Sequence, residues 1–268
     1  TLAHGPQQSL PHTLQIGCAA RIAELCGITT VADFRSRDIA AGGQGAPLVP
    51  AFHQSIMHSG NEHRVILNIG GIANITWLPK TRIQPVTGFD TGPGNSLLDY
   101  WVQQQLGHPF DRNGAFAAQG TPNQALLKHF LSDPFFAADA PKSTGIDYFS
   151  PAWLAQYTNG TLLSPADLQA TLVQLTAHSI ALAVRGNLQA DRVLVCGGGV
   201  RNPQLMQALQ QQLACPVQST AQLGIHPDWV EGMAFAWLAR QTLRGQPGNL
   251  PAVTGAAGPR ILGAIYPA

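Results

Sequence analysis

The sequence predicts an α/β fold on three observations. Short β-branched and apolar runs read as strands, glycine-rich turns follow three of them, and apolar stripes at helical spacing lie between and after them. The turns are Asn68-Ile-Gly70-Gly71, Asp90-Thr-Gly92-Pro-Gly94-Asn95 and Cys196-Gly197-Gly198-Gly199, and the last two open onto helical patterns.

Length and composition bound the rest. At roughly 150 residues per domain, 268 residues suggest two domains or one large one. Hydrophobic residues make up 45% and charged residues 11%, which supplies a core and excludes disorder. Lys+Arg 15 against Asp+Glu 14 leaves a net charge of +1, so no basic footprint points to nucleic acid or an anionic membrane. Cys18, Cys26, Cys196 and Cys215 form no close pair and read as reduced thiols of a cytoplasmic chain. No apolar run reaches the roughly 20 residues needed to span a bilayer, and no secretory signal opens the chain. The run from Thr1 to Gln8 is loop-like and reads as a truncated start.

The elements follow in order. Ile22, Ala23 and Leu25 fit a short helix that Gly27 ends, and Ile28–Phe34 is a β-branched strand. Arg35-Ser-Arg37-Asp38 and the glycines around Gln44 then form a long loop, suited to a ligand or to an ordinary surface. Arg64–Leu78 reads as a hairpin in which Gly70 and Gly71 supply positive φ, and Ile83–Phe89 as a third strand. Leu97 to Trp101 are helical, whereas 112–151 shows little periodicity. Ser164 and Pro165 start a helix to Leu188 whose apolar stripe belongs to the core. Arg192–Cys196 is a buried strand, Pro203–Leu213 and Pro227–Leu243 are helices, and the tail from Gly245 is a loose wrapping segment.

Glycine turns at strand ends bring backbone N–H groups close to an anion, and a following helix adds its positive end. Three such turns point to a nucleotide, although P-loop and G-x-G-x-x-G signatures are absent. Asp90, between a strand and a glycine turn, suits a general base, a water-mediated magnesium contact or a cap of the turn. His53, His58 and His63 share no period that brings them together and read as solvated loop residues rather than a zinc site.

Four stretches together resemble the anhydro-N-acetylmuramic acid kinases: Val31-Ala-Asp33-Phe-Arg35-Ser-Arg-Asp38 with the glycine loop after it, Arg64 to Thr76, Gly88 to Asn95, and Glu231-Gly-Met-Ala-Phe-Ala-Trp. The resemblance covers nearly the whole chain and places it in the sugar kinase/Hsp70/actin superfamily. It implies two RNase-H-like domains around a central cleft, the first incomplete. The implied division is 1–60 for the rest of domain I, 61–228 for domain II, and 229–268 for a helix and tail returning to domain I. Members carry a first phosphate loop upstream of His12, so the resemblance implies that this chain alone is a poor or inactive kinase.

The resemblance also implies roles. Asp90 would be the catalytic base. Asn68, Gly70, Gly71, Asn74, Gly92 and Gly94 would bind phosphate, and Gly197, Gly198, Gly199 and Asn202 the nucleoside. Arg35, Arg37, Asp38, Gln44 and Glu231 would lie on the sugar side, with no protein-bound metal. ATP and Mg²⁺ are the implied cofactors and a small amino sugar the partner, with neither nucleic acid nor membrane; a homodimer is compatible. The implied reaction, of cell-wall recycling, opens a 1,6-anhydro ring and phosphorylates O6. The alternatives are a non-catalytic sugar- or nucleotide-binding fragment, or a hydrolase using Asp90 with Glu231.

Overall fold

A computed structural model describes residues 2–140, 142–187 and 189–268. In chain order the elements begin with β1 (Ala3–Gly5), β2 (His12–Leu14), α1 (Ala19–Cys26), β3 (Thr30–Ala32), α2 (Ser36–Ala40) and α3 (Val49–Met57). Next come β4 (Arg64–Ile69), β5 (Ile72–Leu78), β6 (Thr87–Pro93), α4 (Ser96–Leu106), α5 (Gln124–Phe130), α6 (Pro134–Ala137) and α7 (Pro151–Thr158). The chain continues with α8 (Pro165–Asn187), β7 (Arg192–Cys196), α9 (Pro203–Gln212), β8 (Val217–Ser219), α10 (Val230–Leu243), α11 (Pro251–Thr254) and β9 (Ala264–Tyr266). These fall into two compact units: 1–58 with 81–87 and 231–268, and 59–80 with 88–230.

The second unit is built on a five-stranded sheet of order β6-β5-β4-β7-β8. β4 pairs antiparallel with β5 and parallel with β7, and β7 pairs parallel with β8. A parallel pair needs a long crossover, and for β4 and β7 the chain between them includes α8, which follows β6 and precedes β7. The mixed sheet is the α/β arrangement expected of an RNase-H-like domain. Strand alternation sends Val65, Leu67 and Ile69 into a core with Ile75, Val193 and Val195, covered by Leu172, Leu175 and Ile180 of α8. The same alternation puts Asn68, opposite both Asn74 and Cys196, on the other face. Ser164 caps α8 by accepting from the Asp167 amide at 3.1 Å; Leu188, the expected helix end, lies outside the described residues.

The first unit holds two-stranded sheets, β1-β2 and β3-β9, and a core of Leu48, Leu238 and Leu262 with Phe34, Phe235 and Trp237 around it.

Several expectations need correction. Neither Gly70 nor Gly71 has positive φ, and the turn between Ile69 and Ala73 spans three residues rather than two. The third strand lies at Thr87–Pro93, so Asp90 is inside a strand, while Ile83 is 95% exposed. The charged group after β3 opens the helix α2 rather than a loop, whereas residues 41–48, with the glycines, are irregular as expected before α3 begins. The tail is not loose: Val31 pairs with Ile265 in the β3–β9 sheet.

Candidate active site

Asp90 is partly buried on β6, and its neighbour Phe89 packs on the main core. Alternation therefore turns Asp90 to the sheet face that carries Asn68 and Asn74. Segment 142–144 runs beside it: the Asp90 amide donates to Lys142 O at 3.1 Å, and the Thr144 amide donates to Asp90 Oδ2 at 2.9 Å. No described residue donates to Oδ1. Burial pushes the carboxyl above its ordinary range, and the Thr144 amide partly opposes this. A carboxylate with one oxygen tied and the other open can hold a fixed direction while taking a proton.

The glycine turns divide by what a side chain would meet. A Cβ on Gly94 would come within 2.4 Å of Gly70 O, so glycine is required where α4 begins. The amides of Gly94, Asn95 and Ser96 donate to the carbonyls of Gly71, Gly70 and Gly71, at 2.9, 2.8 and 3.1 Å. These three N–H groups are thus engaged within the protein. Gly92 has φ +143 and lies against Phe136 and Ser179. Gly197 has φ +80 with Asn68 Oδ1 2.6 Å from a built Cβ, and Gly199 presses on Ile69. Gly70, Gly71 and Gly198 differ: the nearest atom to a built Cβ is 3.6, 3.4 and 3.7 Å away, respectively. At these three the fold leaves room for a side chain, so the bare backbone remains open to a ligand. Asn202 caps α9, accepting from the Leu205 amide at 3.3 Å.

In the first unit Arg35 precedes α2 and donates from Nη1 to Gly45 O at 2.8 Å. Its guanidinium is largely buried, which lowers its pKa, and the Glu231 carboxylate acts on it in the opposite sense. The structure thus brings Arg35 and Glu231 near each other, without an ion pair among the described residues. Asp38 is elsewhere. It is fully buried and accepts from Gly45 N, Asn249 Nδ2 and Thr254 Oγ1 at 2.8, 2.7 and 2.8 Å. With its oxygens committed to these donors, Asp38 organises the glycine loop and is withdrawn from any sugar contact. Arg37 is exposed, and Gln44 is partly buried with its amide on Thr254 O at 2.7 Å.

Of the three histidines expected in solvated loops, His58 and His63 do lie outside helices and strands, but none of the three is exposed. His53 is buried on α3, which pushes its pKa down to about 3, and His63 stacks on Trp77 at 5.7 Å. Among the described residues no three His, Cys, Asp or Glu side chains gather as metal ligands. Sequence reasoning missed Lys142 and Thr144. Their contacts with Asp90 run through backbone atoms, which no residue pattern encodes.

A family model described as anhydro-N-acetylmuramic acid kinase matches residues 1–268. The anhydro-N-acetylmuramic acid kinase of Xanthomonas campestris pv. campestris is 56% identical over 270 residues, covering 100% of this chain and 71% of that protein. That of Cupriavidus pinatubonensis is 55% identical over 274 residues, covering 100% and 73%. A solved structure, the ligand-bound xylulose kinase from Lactobacillus acidophilus, matches 80% of this chain and 45% of its own at 13% identity, with a TM-score of 0.42.

Proposed function

The chain belongs to the anhydro-N-acetylmuramic acid kinase family, and on that premise we propose which of its residues carry the reaction. The reaction opens the 1,6-anhydro ring of the sugar and transfers the γ-phosphoryl group of ATP to O6. Asp90 is the base. As water attacks C1, its proton passes to Asp90 Oδ1, the C1–O6 bond breaks, and its electron pair stays on O6. O6 then takes the γ-phosphorus, whose bond to the bridging oxygen of ADP breaks. The phosphoryl group captures the leaving oxygen, so no second carboxylate is needed to protonate it, as a glycosidase would require.

The observation that carries this reading is the Asp90 geometry: Oδ2 held by the Thr144 amide and Oδ1 open, with burial raising the carboxyl's pKa. Gly70, Gly71 and Gly198, which the fold does not require to be glycine, offer backbone to the nucleotide. Arg35 and Glu231 recognise the sugar, the guanidinium suiting its lactyl carboxylate. Mg²⁺ bound to the phosphates would neutralise charge developing there. The same reading puts the protein in the cytoplasm, with no nucleic-acid partner.

The test is quenched product analysis of Asp90→Asn. One base serving one coupled event predicts that neither ring-opened sugar nor its 6-phosphate forms. Accumulation of opened, unphosphorylated sugar would refute the coupling.

A further inference from the structure

We propose that Lys142 is a positioning residue for Asp90, pinning the segment that grips the carboxylate. This rests on Asp90 being the base. The grip is two-sided: Lys142 O takes the Asp90 amide at 3.1 Å, and two residues on, the Thr144 amide holds Oδ2 at 2.9 Å. One short segment thereby fixes both the main chain and the side-chain direction of Asp90, leaving Oδ1 to face the water.

A segment can orient a neighbour only if it is itself held. Lys142 Nζ donates to Phe135 O at 2.9 Å and Phe136 O at 3.4 Å, and lies 4.7 Å from the Phe135 ring centre. Those carbonyls belong to α6, whose start is capped by Asp133 accepting from the Phe135 amide at 2.9 Å. Asp133 in turn accepts from Tyr148 Oη at 2.8 Å, Trp153 Nε1 at 2.8 Å and Tyr157 Oη at 3.1 Å. The anchor is therefore a buried carboxylate locked by three aromatic donors. A charged donor on two carbonyls makes a strong tie between this anchor and the base.

Replacing the ammonium frees segment 142–144 while keeping the Asp90 carboxylate itself. Misplacement of a catalytic group by about 1 Å costs on the order of 10²-fold. For Lys142→Met in the intact protein we expect kcat to fall about 10- to 100-fold, with KM for sugar and ATP within about threefold of the parent. Lys142→Arg, which can also donate to both carbonyls, recovers most of kcat. A purely structural lysine would not give that kcat-against-KM split with arginine rescue.

If Lys142→Met melts near the assay temperature, Thr144→Pro decides, since it deletes the amide that holds Oδ2 and keeps the lysine anchor. The same split is then expected. Unchanged kcat in the folded variant, or raised KM values at parent kcat, overturns the proposal. Asp90→Asn assayed alongside separates the two readings. Its near-parent turnover would remove the base assignment, whereas its loss beside an unaffected Lys142→Met would remove only the positioning role.

Discussion

Asp38 Oδ1 accepts the Thr254 hydroxyl at 2.8 Å, joining positions 216 residues apart. Together with the bonds from Asn249 and Gly45, this makes the glycine loop and the C-terminal tail one structure. Asp38→Ala takes the acceptor from the Gly45 amide and leaves Asn249 Nδ2 and Thr254 Oγ1 only longer bonds of 3.4 Å, to Gly258 O and Leu250 O. Each buried unsatisfied donor costs about 1–3 kcal/mol, so we expect a loss of about 2–4 kcal/mol after relaxation. Urea unfolding measures it; a change below about 0.5 kcal/mol, the level of an ordinary surface substitution, would deny Asp38 this role.

Arg35 spends one guanidinium donor on Gly45 O and keeps others for a ligand. A hydrogen bond to a charged partner is worth about 1.5–3 kcal/mol, so Arg35→Ala should raise the sugar KM about 10- to 100-fold. The KM for ATP should stay within about twofold of the parent. Equal rises for both substrates would assign Arg35 to holding the loop.

Two glycine substitutions separate folding from binding. Gly199→Ala places a Cβ 2.4 Å from Ile69 Cγ2 and should destabilise the fold by about 1–3 kcal/mol through overpacking. Gly70→Ala meets nothing nearer than 3.6 Å, so its melting temperature should match the parent while its ATP KM rises. An unaltered ATP KM in Gly70→Ala would take that turn away from the nucleotide.

On the proposed mechanism the ionised form of Asp90 is the active one, and burial raises its pKa against the opposing Thr144 amide. Activity should therefore fall as pH drops through a value above the ordinary carboxylate pKa of about 3.9. For stability the sign reverses. A carboxyl with a raised folded-state pKa stabilises the fold below its unfolded pKa, and that contribution is lost as pH rises through the folded one. Asp90→Asn removes this penalty, so at neutral pH it should melt no lower than the parent. A kcat profile flat down to pH about 4, or a less stable variant, would contradict the assignment.

Much of the fold was legible because its signals are local. The apolar run Arg64–Leu78, the Ser164-Pro165 start and the glycines after Cys196 each specify their element within a few residues. Ser150-Pro151 repeats the Ser-Pro signal at the start of α7, where Ser150 accepts from the Trp153 amide, yet the aperiodic sequence around it hid the helix. The tail misled because its order comes from distant partners: Ile265 against Val31, and Thr254 on Asp38. Asp90, Arg35 and Glu231 stand out in the sequence as charged residues beside glycine turns or at a helix start. Asp38 looked like one of them, and only burial showed that it serves the loop instead. Gly94 and Gly199 looked like ligand glycines, whereas close backbone or side-chain approach is what requires them. Residue type alone does not distinguish a glycine that admits a ligand from one that admits a neighbouring strand.

The most direct measurement is steady-state turnover of Asp90→Asn in the intact protein, with sugar and ATP dissociation constants determined for the same preparation. Asparagine keeps the shape and can still accept from the Thr144 amide, but cannot take a proton from water. Loss of a general base costs about 10²–10⁴-fold, and coupling of water attack to phosphoryl transfer puts the expectation at the upper end. Both dissociation constants should stay within about threefold of the parent, since neither ligand loses a contact that binding alone requires. A variant within tenfold of the parent kcat would show that Asp90 is a strand residue and that the proton goes elsewhere.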